Sequence, residues 1–323
     1  MATTMAADIK FNEELLRLGI SEVIEQNVDA FNTASNNTII MTTTSLEGNF
    51  SEEAFIKSLA ASSLVSRRDF AADTALTPAK LIEDTVNTVK LSRRYGPVSS
   101  TYDAWNRSGR NIDTFSMAFG RQLGVAIMQD MVEACIAAGV TATQVGNTAL
   151  GDGLSVFDYS NIVDGLASMG DKGGRIGCLV MHSNTYYSIV DQGLSRNALD
   201  TVGGMTIREG GAYSLGLPVL TVDSPSLILS AGIYGILGLT ESALKAIESE
   251  DMIMRTQDVL LKDNLQMVMQ GESSYNVGVK GYTFNISKPN PVIADIKTAA
   301  NWTYKYADIK SGPGFVLKVA ARA

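Results

Sequence analysis

Apolar residues recur at every fourth position from Phe115 through Phe119, Leu123, Ile127 and Met131 to Cys135, and Met128, Val132 and Ile136 widen the stripe. Such spacing keeps returning to one face of a 3.6-residue helix, so it predicts a helix over 112–138, roughly 40 Å long, with Gly139 as its stop. Gly120 and Gly124 lie inside it, each costing up to about 1 kcal/mol against alanine. Their retention predicts close approach of another element.

Elsewhere the pattern changes several times. Phe11, Leu15, Leu16, Leu18, Ile20, Val23 and Ile24 make a short amphipathic piece, followed by a polar run from Asn32 to Ser45 that reads as extended arm or loop. A helix is predicted over 51–66, with Ser51 and two glutamates as its first turn. From Val65 to Trp105 short alternating stretches, Pro78, Gly96 and Pro97 predict a long two-stranded hairpin. A lone ribbon is marginal in water, so its place is against a neighbouring molecule.

The second half predicts a helix over 159–169, a strand IGCLVM, a helix beginning at Ser183, and buried strands in LPVLTV and AGIYGILGLT. Two alternating strands are expected around Glu272, then a helix-like NPVIADIKTAANW and an apolar end, GPGFVLKVA. Helices and strands in unequal blocks make the fold class α+β.

Composition narrows the function. At 45% hydrophobic and 19% charged over 323 residues, the chain can bury a large core. With 26 Lys and Arg against 34 Asp and Glu, the net charge of −8 excludes a global basic surface for nucleic acid. Cys135 and Cys178 sit in apolar stretches without metal-ligand spacing, and no charged-then-apolar leader opens the chain. Free buried thiols and synthesis in a reducing cytoplasm are expected, with no membrane span.

Chemistry finds little support. The glycines at 170, 173, 174 and 177 lack the lysine and hydroxyl of a phosphate loop, and those at 232, 235 and 238 miss the dinucleotide spacing. His182 is the sole histidine; it has Ser183, Ser195, Asp191 and Asp200 as conceivable partners but no nucleophile elbow. No catalytic residue, cofactor or metal is expected. The charged hairpin offers interface candidates instead: Arg67, Arg68, Lys80, Lys90, Arg93 and Arg94, with Tyr95, Tyr102 and Trp105 as aromatic anchors. Interleaved acids favour intersubunit ion pairs over DNA contact.

Four motifs in order give the chain a family likeness. They are a charged loop ending VKLSRRYGPVSSTYDAW, the helix FSMAFGRQLGVAIMQDMVEACIAAGV, GCLVMHSNTYYSIVDQGL followed by YSLGLPVLTVDSP, and SAGIYGILGLTESAL leading to NVGVKGYTFN. Together they resemble the major capsid proteins of tailed bacteriophages with the HK97-like fold. The resemblance implies an N-terminal arm (1–50), a short helix and extended loop (51–107), a peripheral domain with the spine helix (108–154), an axial domain (155–265), and return strands completing the peripheral domain (266–323). It further implies self-assembly through pentamers and hexamers into an icosahedral shell around double-stranded DNA. Expected partners are the protein itself, a separate scaffolding protein, a portal protein, a decoration protein, and packaged DNA without sequence-specific contact. Lys80 and Lys90 lie in the loop where some members crosslink, but no matching asparagine or acid is assignable, so assembly is expected to be non-covalent. Rival readings are an encapsulin-like compartment shell and a soluble α+β enzyme using His182.

Overall fold

The computed structural model describes residues 13–42, 52–57, 77–101, 112–146, 155–195, 216–260 and 263–321, with 59, 64–65, 67, 70–71, 75, 103, 151, 153 and 207–208 between them. Helix α1 runs Glu13–Ala34, three residues into the polar run expected to be extended, of which 39–42 is a strand. Leu16, Ile20, Ile24 and Val28 stand four residues apart and are all buried, and Phe31 packs beside them. Burial of that stripe outweighs the weak helix propensity of Asn and Thr near its end.

The stripe lies along helix α2, Ile112–Gly146. Here the two glycines find their reason. A β-carbon on Gly120 would meet the Leu16 carbonyl oxygen at 2.5 Å, and one on Gly124 would meet Val23 Cβ at 3.1 Å. Gly19 contributes from the other side, its would-be β-carbon 2.9 Å from the Met117 carbonyl oxygen. The backbones thus meet where side chains are absent.

Helix α2 does not stop at Gly139. A β-carbon there would stand 3.0 Å from the Leu244 side chain, so Gly139 makes room for core packing inside a continuing helix. Every residue from Ala134 to Thr143 is buried. Residues 116–146 are long and apolar enough to cross a membrane, yet this buried stretch is enclosed by the chain's own strands and α1.

The first of two six-stranded sheets contains β1 (Ile39–Thr42), β4 (Val89–Thr101), β10 (Leu244–Val259), β11 (Gln266–Val279), β12 (Tyr282–Phe284) and β13 (Trp302–Tyr304). Strand β11 is central, antiparallel to both β10 and β4. It is one strand through Glu272, where two were expected, with a register shift between Met269 and Gly271 opposite β4. Strand β1 adds in parallel to β10, Ile39 facing Leu244. The sheet, α1 and α2 enclose the larger core, including Tyr275, Tyr282 and Trp302.

The second sheet runs β14 (Gly314–Ala320), β9 (Ile233–Thr240), β5 (Ile176–Met181), β7 (Val219–Thr221) and β6 (Ile207–Arg208), with β8 (Ile228–Ser230) on β9. With α3 (Tyr159–Ser168) it encloses a smaller core around Phe157, Ile162 and Phe315. Helix α4, Ser183–Ser195, follows β5 directly. Helix α5 is only Ile293–Ile296, shorter than its apolar pattern suggested.

A small two-stranded sheet pairs β2 (Glu52–Ile56) with β3 (Glu83–Asn87). The helix expected from residue 51 is therefore a strand at its start. Phe55 stacks edge-on against Tyr306 at 5.0 Å, and Glu53 and Asp84 pair with Lys245 (2.8 Å) and Lys305 (3.1 Å). These contacts root the ribbon on the body and favour strand pairing over a local helix.

Candidate assembly surfaces

The hairpin expected over 65–105 does not form as one ribbon, because β3 pairs with β2 while β4 joins the first sheet on β11, and its candidate residues separate into internal and external groups. Arg93 was expected at an interface, but β4 turns it inward: its side chain is 8% exposed, its guanidinium 4.2 Å from the Tyr275 ring centre. Asp130 of α2 lies 3.9 Å away and Glu248 of β10 3.8 Å. Tyr275 donates its hydroxyl to Asp130 at 3.0 Å. Tyr95 is likewise internal, its hydroxyl 2.6 Å from Ser273 Oγ. Alternation on β4 sends residues 91, 93 and 95 to one side, and α2 covers that side. Arg93 and Tyr95 therefore clamp the chain's own sheet to α2 and are not surface anchors.

Lys90 reaches Glu250 across the sheet at 2.7 Å. Arg94 points outward opposite Glu272. Lys80 and Arg67 are exposed before β3, while Arg68, Tyr102 and Trp105 lie outside the described residues.

Between β2 and β3 the chain exposes large apolar side chains that charge-based reading passed over. Phe70 is 93% exposed and Val65 82%, with Leu64, Leu81 and Ile82 also open to solvent. Isolated exposed apolar residues are ordinary, but several close together in sequence make this segment a candidate contact surface. The signal in the sequence was the apolar pairs Leu64-Val65 and Leu81-Ile82 beside charges.

A second surface is a groove of about 1130 Å³ between α1, α2 and the segment after β7. Asn27 to Ala34 form one wall and Val125 to Glu133 another, with Pro218 to Pro225 closing it. Glu133 accepts hydrogen bonds from the hydroxyls of Ser224 and Ser226 and lies 3.7 Å from Lys297. One carboxylate of α2 thereby holds the turn that leaves the second sheet.

His182 sits at the β5–α4 junction. Its Nδ1 accepts from the Asn184 backbone N–H at 3.1 Å, and its Nε2 faces Asp223 at 3.6 Å. Ser183 Oγ is 3.5 Å from that same Nδ1, so the hydroxyl and the acid are reversed relative to a base-activated nucleophile. Asp223, held below the usual carboxylate range by hydrogen bonds from Ser183, serves that helix start. Burial pushes the Cys135 and Cys178 thiols up to about 12 and about 11, which removes them as nucleophiles. No cluster of potential metal ligands occurs among the described residues.

A long helix buried against an extended antiparallel sheet, beside a second mixed sheet, makes an α+β fold, and its likeness to solved phage capsid chains makes it the HK97-like one. Solved structures share it. A chain of Mycobacterium phage Bobi aligns with TM-score 0.53 at 10% identity, and one of Mycobacterium phage Cain with 0.51 at 11%, each over 90% of both chains. The capsid of a native GTA particle aligns with TM-score 0.51 at 13% identity, covering 99% of this chain and 95% of the other. No curated protein matches the chain. Residues 8–316 match the Gp13-like family, described as major capsid protein 13-like, and the chain belongs to that family. It is a structural protein of the phage capsid shell that associates with its own copies, and not an enzyme. Neither the compartment-shell nor the His182-enzyme reading is favoured.

Proposed function

We propose that copies of this chain associate as pentamers and hexamers into an icosahedral shell around double-stranded DNA, assembling in the bacterial cytoplasm with a separate scaffolding protein and closing onto a portal. The observation that carries the reading is the segment between β2 and β3 with Leu64, Val65 and Phe70 exposed, because such apolar surface is stabilised when another copy covers it. In this reading residues 1–50 form the arm region, 51–107 the extended loop, 108–154 and 266–323 the peripheral domain, and 155–265 the axial domain. Within that region α1 packs on α2 and β1 pairs with β10, which anchors it on the peripheral core.

Lys80, Arg67, Arg68 and Arg94 are the cations assigned to intersubunit ion pairs, with Tyr102 and Trp105 as aromatic anchors of the same segment. A decoration protein would bind the finished shell, and packaged DNA would lie against it without sequence-specific contact, in keeping with the net charge of −8. The test is electron microscopy of the purified chain alone and after co-expression with a scaffolding protein. Closed shells tens of nanometres across, or isolated rings of five and six, are expected in at least one condition. A uniform monomer in both sinks the reading.

A further inference from the structure

We infer that His182 is a proton-sensitive cap on helix α4, so that acidification through the range where histidine titrates releases the start of that helix. The residue before a helix ordinarily offers a side-chain oxygen to the free N–H groups of the first turn, and Ser, Thr, Asp and Asn dominate there. Helix α4 begins at Ser183, and the residue before it is His182. Its Nδ1 takes the capping place, accepting the Asn184 backbone N–H at 3.1 Å. The adjacent Ser183 N–H is accepted by Oδ1 of Asp223 at 3.2 Å. Two donors of the first turn thus rest on one imidazole nitrogen and one carboxylate oxygen.

These contacts assign the neutral tautomer: Nδ1 carries the lone pair and Nε2 the hydrogen, which faces that same Oδ1 of Asp223 at 3.6 Å. The ring is enclosed, its side chain 16% exposed and packed on Tyr234 of β9 with ring centres 4.8 Å apart. Ser183 Oγ lies 3.5 Å from Nδ1, and Asp223 is the one ion-pair partner of the ring among the described residues. A proton added at Nδ1 acts on the helix start in three ways. Hydrogen replaces the lone pair, so the Asn184 N–H loses its acceptor. Positive charge arrives at the helix end whose dipole is itself positive. The imidazolium also draws on Oδ1 of Asp223, the oxygen that holds the Ser183 N–H. Hydrogen bonding from Ser183 keeps the Asp223 carboxyl below its ordinary range, so this acid stays ionised while histidine titrates. His182 is the sole histidine of the chain, and no other side chain of ordinary pKa changes charge between about pH 5 and 8.

The experiment follows hydrogen exchange of the Ser183 and Asn184 amides, corrected for intrinsic rates, in the full-length, unassembled subunit, so its outcome is independent of shell formation. Protection is expected to fall about fivefold, the worth of one helix cap, between about pH 8 and about pH 5 along a one-proton curve. Amides of β5, Ile176–Met181, are expected to stay protected throughout, which makes the change local. His182→Asn keeps a capping oxygen and does not titrate, so its protection is expected to be high and flat over the same range. His182→Ala offers no acceptor and is expected to be weakly protected at both ends. Flat protection in the parent overturns the proposal. A fall of equal size in His182→Asn places the titrating group elsewhere and overturns it too, as does a parallel loss of protection across β5.

Discussion

Arg93 shows how one residue couples two layers. Its guanidinium is stacked on Tyr275 and placed between Asp130 and Glu248, but its Nε and Nη2 have no hydrogen-bond partner. Burial pushes the Glu248 carboxyl up, and Arg93 opposes that push. Removing the cation leaves two carboxylates facing a largely apolar space. Arg93→Ala is expected to cost about 2–3 kcal/mol, below the 3–5 typical of a fully buried pair because Glu248 and Asp130 keep 28% and 36% exposure. Urea unfolding of the unassembled subunit measures it, and a midpoint equal to the parent's would refute the role. Gly120 makes the converse prediction. In an exposed helix Gly→Ala gains up to about 1 kcal/mol, but here the new methyl would strike the Leu16 carbonyl, so Gly120→Ala is expected to destabilise by about 1–3 kcal/mol. A rise in the unfolding midpoint would show that α1 and α2 can part without cost. The two glycines were legible in the sequence as places of close approach. The inward turn of Arg93 was not, because alternation leaves open which face of a strand meets the core.

At the scale of elements, strong periodicity was read correctly and weak patterns were decided by distant partners. Helix α2, β5, β9 and the start of α4 follow from local sequence alone. Strand β2 does not: Glu-Glu-Ala-Phe-Ile has a helical composition, and only pairing with β3 and the Phe55–Tyr306 contact make it a strand. The run Asn32 to Ala34 stays helical because Phe31 and Val28 are packed just before it. Two short segments are joined by crossed ion pairs, Lys172–Asp308 at 2.7 Å and Lys310–Asp171 at 2.9 Å, which tie the 3-10 turn Gly170–Arg175 to Ile309–Ser311. Hydrogen bonds from the lysines hold both carboxyls below their ordinary value of 3.8. A depressed acid contributes stability above its unfolded value and loses it as pH falls through the folded one. Hydrogen exchange of the 308–312 amides, corrected for intrinsic rates, is therefore expected to speed up below about pH 3.8 and to be flat from pH 5 to 8. Unchanged protection at pH 3 would mean that backbone bonding alone holds the turn.

For the whole molecule, the family and the mixed α+β class could be read from the order of four motifs, each weak by itself. The groove could not, since its walls come from residues near 30, 130 and 222, which no local pattern connects. The covalent state of the shell is a question at this scale. Lys90 is engaged by Glu250 within its own chain, and Lys80 is the loop lysine left exposed. Mature particles boiled in denaturant are expected to give one band at 34.5 kDa, and ladders of multiples would overturn non-covalent assembly.

The parallel pairing of β1 with β10 and the antiparallel pairing of β4 with β11 bear on timing during synthesis. Residues 39–42 find their partners only at 244–247, and residues 89–101 theirs at 266–277. Contacts so far apart in sequence close late and slowly. With translation at about 5–20 residues per second, the first third of the chain waits roughly 10–40 seconds for the strands that complete its sheet. A ribosome that stops before residue 244 releases a chain in which β1 and β4 have no partner strands, so its first sheet stays open.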